Sequence, residues 1–121
     1  MAATILIIDD EIHIRRLTAR MLEVAGYQGL EAAGGPQALR LLGENQPDVI
    51  TCDIAMPGMN GFEVLQAIKS QPATAAIPVI MLTAIGQDKD VARATALGAA
   101  DYITKPFSST KLVETIERQL T

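Results

Sequence analysis

Asp48-Val49-Ile50-Thr51-Cys52-Asp53, continued by Ile54-Ala55-Met56-Pro57-Gly58-Met59-Asn60-Gly61, decides the fold. Val49 to Cys52 is a short apolar, β-branched run of the kind that forms a strand buried on both faces. It stops at an aspartate, and Pro57-Gly58 and Asn60-Gly61 then break regular structure. A carboxylate at the carboxyl end of a central parallel strand lies where open α/β sheets hold their ligands. Asp53 is therefore the first candidate for chemistry.

Working outward, Thr4-Ile5-Leu6-Ile7-Ile8 is a continuous apolar strand that stops at Asp9-Asp10. From Glu11 to Gly26 the pattern is helical, with Ile14, Leu17, Met21 and Ala25 at three- and four-residue steps and Gly26 suited to a C-terminal cap. Gln28 to Ala32, interrupted by Gly29, reads as a weak edge strand. Pro36 opens a helix that runs to about Asn45 on Ala38, Leu39, Leu41 and Leu42. On the other side of the central run, Asn60 and Glu63 form a variant capping box for a helix that carries Phe62, Leu65 and Ile68 inward. Pro78 to Leu82 is a buried strand with its proline first, ending at Thr83. Asp88 is the expected cap of an alanine-rich helix finishing at Gly98. Asp101 to Thr104 is the last strand, followed by Lys105-Pro106. Ser108 or Ser109 opens a final helix with Leu112, Val113, Ile116 and Leu120 on one side.

Five strands, each followed by a helix, predict a doubly wound α/β domain over 1–121. Right-handed crossovers favour the flavodoxin-like strand order 2-1-3-4-5. In that order strands 1 and 3 are neighbours, so Asp9, Asp10 and Asp53 meet at one crevice, with Thr83 next along and Lys105 beyond. Crowded carboxylates repel one another, and the usual resolutions are a raised pKa or a bound cation. An all-oxygen ligand set suits Mg²⁺ over zinc or copper. A metal, an ammonium (Lys105) and a hydroxyl (Thr83) around one carboxylate are what a phosphoryl group needs to transfer onto that carboxylate. Each of these residues taken singly has a duller explanation as a turn, a strand end or a solvated side chain. Their placement at four strand ends on one rim is what argues for chemistry.

Composition bounds the rest. The chain has 121 residues, 49% hydrophobic and 20% charged, enough for one real core. A net charge of −4 argues against nucleic acid or an anionic membrane as the main partner. The single cysteine, Cys52, excludes an internal disulfide and a zinc cluster, and it fits a buried thiol in a reducing cytoplasm. No segment is apolar for long enough to span a bilayer, and no signal peptide is visible.

At this point the chain resembles the receiver domain of bacterial two-component response regulators over essentially its whole length. The likeness rests on Ile7-Ile8-Asp9-Asp10-Glu11, on Asp53 through Gly61, on Leu82-Thr83-Ala84 and on Asp101 through Phe107. The resemblance implies that Asp53 accepts a phosphoryl group from the phosphohistidine of a sensor kinase or phosphotransfer protein. It implies that Asp10 ligates Mg²⁺ directly, Asp9 mainly through water, and the carbonyl of Ala55 as a further ligand. Thr83 and Lys105 are then expected to hold the phosphoryl oxygens, and Tyr102 to change rotamer as Thr83 moves. A cis Lys105-Pro106 bond is implied as well. Ala55 and Ile85 occupy the positions that tune phosphate lifetime in this family, and neither can orient water. Lys89, Arg93, Tyr102, Thr104 and Lys111 are expected on the face that contacts a downstream protein. The protein is expected to be a monomer or a phosphorylation-dependent dimer, and output through a protein contact is expected if the chain is whole.

Three other readings compete. A Mg²⁺-dependent phosphohydrolase or phosphotransferase with an aspartyl intermediate would need a cap and a second general acid. An FMN carrier would need a phosphate-binding loop where this chain has Asp9-Asp10-Glu11. A phosphate-independent adaptor is the third. His13, alone on the first turn of a surface helix, is given no role.

Overall fold

The computed structural model describes residues 2–85 and 87–121. The elements alternate as β1 (Thr4–Ile8), α1 (Ile12–Val24), β2 (Gln28–Ala32), α2 (Gly35–Leu42) and β3 (Val49–Asp53). They continue as α3 (Gly61–Ser70), β4 (Val79–Ala84), α4 (Asp88–Ala96), β5 (Asp101–Lys105) and α5 (Ser109–Leu120). All strands pair in parallel in the order β2-β1-β3-β4-β5, as the sequence predicts. Lys105-Pro106 is cis.

Side-chain alternation along the strands splits the core in two. Leu6, Ile8, Ile50, Cys52, Val79 and Met81 pack with α2, α3 and α4. Ile5, Ile7, Val49, Ile80, Leu82 and Ile103 pack with α1 and α5. Every residue of β3 is buried, whereas β2 at the edge buries only Ala32, which accounts for the weak, glycine-broken sequence of β2.

Helix termini follow local chemistry. Asn60 and Glu63 form the expected capping box, each backbone N–H donating to the other's side chain at 3.0 and 3.1 Å. Ser108 caps α5 by accepting from the Lys111 N–H. Glu11 caps α1, its carboxylate accepting from the N–H groups of His13 and Ile14. Gln87, and not Asp88, holds the cap position of α4; Asp88 is the first helical residue, suited to the positive end of the dipole. Helix α2 ends at Leu42 with Gly43 as cap, short of Asn45.

The inward face of α1 is the main correction. Thr18, Ala19 and Leu22 are buried, while Leu17 is 50% exposed and Ala25 faces solvent. The buried stripe is thus one residue off the apolar count. Thr18 can take an inner position because its hydroxyl donates to the Ile14 carbonyl at 2.8 Å, so no polar group is left unsatisfied. Thr115 in α5 does the same with Lys111 at 2.7 Å, while Leu120 lies 38% exposed beyond the last inward turn.

One glycine is forced by packing. A Cβ on Gly61 would strike the carbonyl oxygen of Asp53 and stand 2.6 Å from the Ile54 Cα, both backbone atoms that cannot move aside. The close approach lets the Gly61 N–H donate to the Ile54 carbonyl at 2.8 Å and seats α3 directly beneath the end of β3.

Two stability outcomes are expected. Thr51, level with Ile7 and Ile80 in the register, is fully buried with an unpartnered hydroxyl. Thr51→Val should raise the unfolding free energy by about 1 kcal/mol in urea titration, the usual cost of an unsatisfied buried polar group. Gly61→Ala should lower it by roughly 2 kcal/mol, the scale of overpacking in a rigid site.

Candidate functional site

The carboxyl rim of the sheet brings four strand ends together. Ile8 pairs with Cys52 across β1 and β3, so the residues that follow each, Asp9 and Asp53, emerge side by side. Asp53 pairs with Leu82 and Ala84 with Lys105, which sets Thr83 and Lys105 along the same edge.

Asp9 is fully buried, yet each of its polar atoms is engaged. Its N–H donates to the Ala32 carbonyl at 3.1 Å, and its carbonyl accepts from Arg15 Nη1 at 2.9 Å. Oδ1 accepts from the Glu11 N–H at 3.0 Å and Oδ2 from Lys105 Nζ at 3.1 Å. The same ammonium stands 3.3 Å from Asp53 Oδ1. Asp10 is exposed, and among the described residues Asp9, Asp10 and Asp53 each offer a carboxylate oxygen within 4.8 Å of the others. Three hard anionic donors at that spacing match the chemistry of a small divalent cation such as Mg²⁺.

The electrostatics reflect crowding in a dry place. Burial pushes the Asp53 carboxyl above its ordinary value; Lys105 pulls it back, and the charges of Asp9 and Asp10 add to the rise. For Lys105, burial opposes the charged form, but Asp53 and Asp9 together outweigh it and hold the ammonium above its usual range. Cys52 is buried as expected, its thiol pushed far up by burial, with Asp53 and Asp9 nearby adding to the effect.

A cavity of about 440 Å³ opens beside Asp53, lined by Ala55, Thr83, Ala84 and Lys105 among others. Among the described residues, the buried Thr83 hydroxyl makes only a long 3.4 Å contact to the Ala84 carbonyl. Gln87 and Asp90 at the start of α4 also line this cavity, and the sequence reading had not singled them out. Their signal is spacing, four and seven residues after Thr83 on the loop and helix that follow its strand. Ile85 is 73% exposed.

Away from the pocket, Tyr102 is 44% exposed. With Thr104, Phe107 and Lys111 it lines a separate groove of about 520 Å³. Lys89 is exposed on α4. Arg93 is exposed on α4 as well, its guanidinium 4.2 Å from the Phe62 ring in a cation–π contact with α3.

Residues 5–117 match the family model of the response regulator receiver domain. The chain is 44% identical over 117 residues to the phosphate regulon transcriptional regulatory protein PhoB of Pseudomonas aeruginosa, covering 97% of this chain and 51% of that protein. It thus spans about half the length of the PhoB relatives it matches. Protein PilH of the same organism is 41% identical over 119 residues, with 98% of both chains covered. Among solved structures, the chemotaxis protein CheY4 of Vibrio cholerae superposes with a TM-score of 0.93 at 35% identity over 98% of both chains. A response regulator structure from Chloroflexus aurantiacus gives 0.96 at 33% identity, over 99% of this chain and 98% of that one. With sequence, topology and rim geometry in agreement, the chain belongs to the receiver domains of two-component response regulators.

Proposed function

We propose that Asp53 is the phosphoacceptor, taking a phosphoryl group from the phosphohistidine of a sensor kinase or phosphotransfer protein. The observation that carries this reading is the Lys105 ammonium bridging Asp9 and Asp53 next to Asp10, a concentration of opposite charges at the one open end of β3. An Asp53 carboxylate oxygen attacks phosphorus as the bond to the histidine nitrogen breaks, and the imidazole leaves with the electron pair. Lys105 then exchanges its carboxylate contact for a phosphoryl oxygen, and the Thr83 hydroxyl, which makes a 3.4 Å contact to the Ala84 carbonyl in this state, donates to another. Mg²⁺ held by Asp9, Asp10, Asp53 and the Ala55 carbonyl would neutralise the oxygens of the transferring group.

The protein in this reading is an acceptor whose state is reported, and turnover of small phosphoesters is not its role. Thr83 and Tyr102 form the switch: Thr83 moves toward the phosphoryl group and Tyr102 leaves its exposed position. The face of Lys89, Arg93, Tyr102, Thr104 and Lys111 then meets a downstream protein, or a second copy of the chain, and occupancy follows phosphorylation by population shift. Among the described residues no helix is long and apolar enough to cross a membrane, and a kinase-fed receiver of this kind acts in the cytoplasm.

Incubation with Mg²⁺ and a small acyl phosphate should add one phosphate to the wild type and none to Asp53→Asn by intact mass; gain by both would place the chemistry elsewhere. Since neither Ala55 nor Ile85 can orient water by a hydrogen bond, the phosphorylated form should persist well beyond seconds, as followed by mass over time. A pH outcome follows from the raised Asp53 value. Below its ordinary value of 3.8 the group is protonated folded or unfolded and costs nothing. As pH rises through the higher folded value, ionising it in the pocket removes stability. Metal-free Asp53→Asn should therefore melt a few degrees above wild type at pH 7, with the gap closing in acid. A wild type that melts higher at pH 7 would contradict this.

A further inference from the structure

We infer that Arg15 is a positioning residue for the metal-binding acids, acting through the backbone of Asp9. The inference rests on the reading of Asp9, Asp10 and Asp53 as a Mg²⁺ site. Arg15 is one turn into α1, and its side chain is only 12% exposed. Its guanidinium makes two directed bonds: Nη1 donates to the Asp9 carbonyl at 2.9 Å and Nε to Glu31 Oε1 at 3.0 Å. Glu31 is on β2, level with Ile7 in the ladder. One side chain thus ties together the first helix, the edge strand and the turn between β1 and α1.

The Asp9 carbonyl belongs to the peptide plane that leads into Asp10. Holding that oxygen restrains the plane, and with it one of the two backbone connections that orient the Asp10 Cα–Cβ bond. Asp9 is already held by the sheet, by the Glu11 N–H and by Lys105. Asp10 is exposed, so its aim comes from the backbone on either side. The Glu11 side reaches α1 through its own cap bonds, and the Asp9 side reaches α1 through Arg15. Partners of this outer kind commonly set metal affinity by a factor of about 10 to 100.

Charge alone predicts the opposite sign. A guanidinium beside the acids repels a metal cation, so its removal should tighten binding. Glu31 offsets that repulsion, and the fork geometry is what arginine adds over lysine. A lysine ammonium is a point charge that cannot present two donors in one fixed plane, so it reproduces the fork only in part.

The test is calorimetric titration of the full chain with MgCl₂, each variant well below its own melting temperature so that only folded protein is measured. Wild type should bind and Asp10→Asn should not; failure of that pair overturns the metal reading itself. Given that pair, Arg15→Gln should bind roughly 10-fold more weakly. Arg15→Lys should recover only part of the loss, and Arg16→Gln should match wild type. Arg16 is the control because it sits 3.8 Å from the same Glu31, is 70% exposed and makes no hydrogen bond to the turn. Unchanged or tighter binding by Arg15→Gln, with or without a lower melting temperature, overturns the positioning role. Should Arg15→Gln not fold, full wild-type affinity in Arg15→Lys overturns it instead.

Discussion

Like charges placed together in a poorly hydrated notch are the constraint around which this molecule is arranged. Asp9 and Asp53 come out of adjacent strands with their carboxylates facing one ammonium, and Asp10 stands within reach of both. Burial penalises the ionised form of Asp53, and Lys105 offsets the penalty only in part. Such a notch lasts because the surrounding backbone is committed elsewhere: β3 is buried throughout, Gly61 lets α3 close beneath it, and Asp9 spends its remaining polar atoms on neighbours. The resting fold holds this cost in reserve, and a divalent cation or a phosphoryl group relieves it by supplying charge of the missing kind.

The strands and the rim were readable from the chain because the signals there are local. An apolar run that ends in aspartate marks a strand and its end at once, and Asn60 with Glu63 names a helix start from two residues alone. The parallel order then follows from handedness, and the meeting of Asp9, Asp10, Asp53, Thr83 and Lys105 follows from the order.

What escaped the reading depends on contacts between distant segments, or on polar atoms whose needs are met out of sight. Counting apolar residues put Leu17 inside and passed over Thr18, whose hydroxyl returns to its own helix and so behaves as a small core residue. Gln87 and Asp90 become pocket walls only through the path of the chain from β4 into α4. The Arg93 contact with the Phe62 ring joins α4 to α3 across many residues of sequence. Arg15 is the same kind of case: nothing in its sequence neighbourhood signals that its partners are a carbonyl six residues back and a carboxylate on the edge strand.

The burial of Cys52 has a use of its own. It is the one sulfhydryl in the chain, fully enclosed and one position before Asp53 in the middle of the sheet. A thiol-specific reagent added to the intact molecule meets no thiol until β3 is uncovered. The speed of covalent labelling therefore counts excursions of that strand, and the molecule carries a native gauge of how firmly its central strand is held as the rim is loaded or emptied.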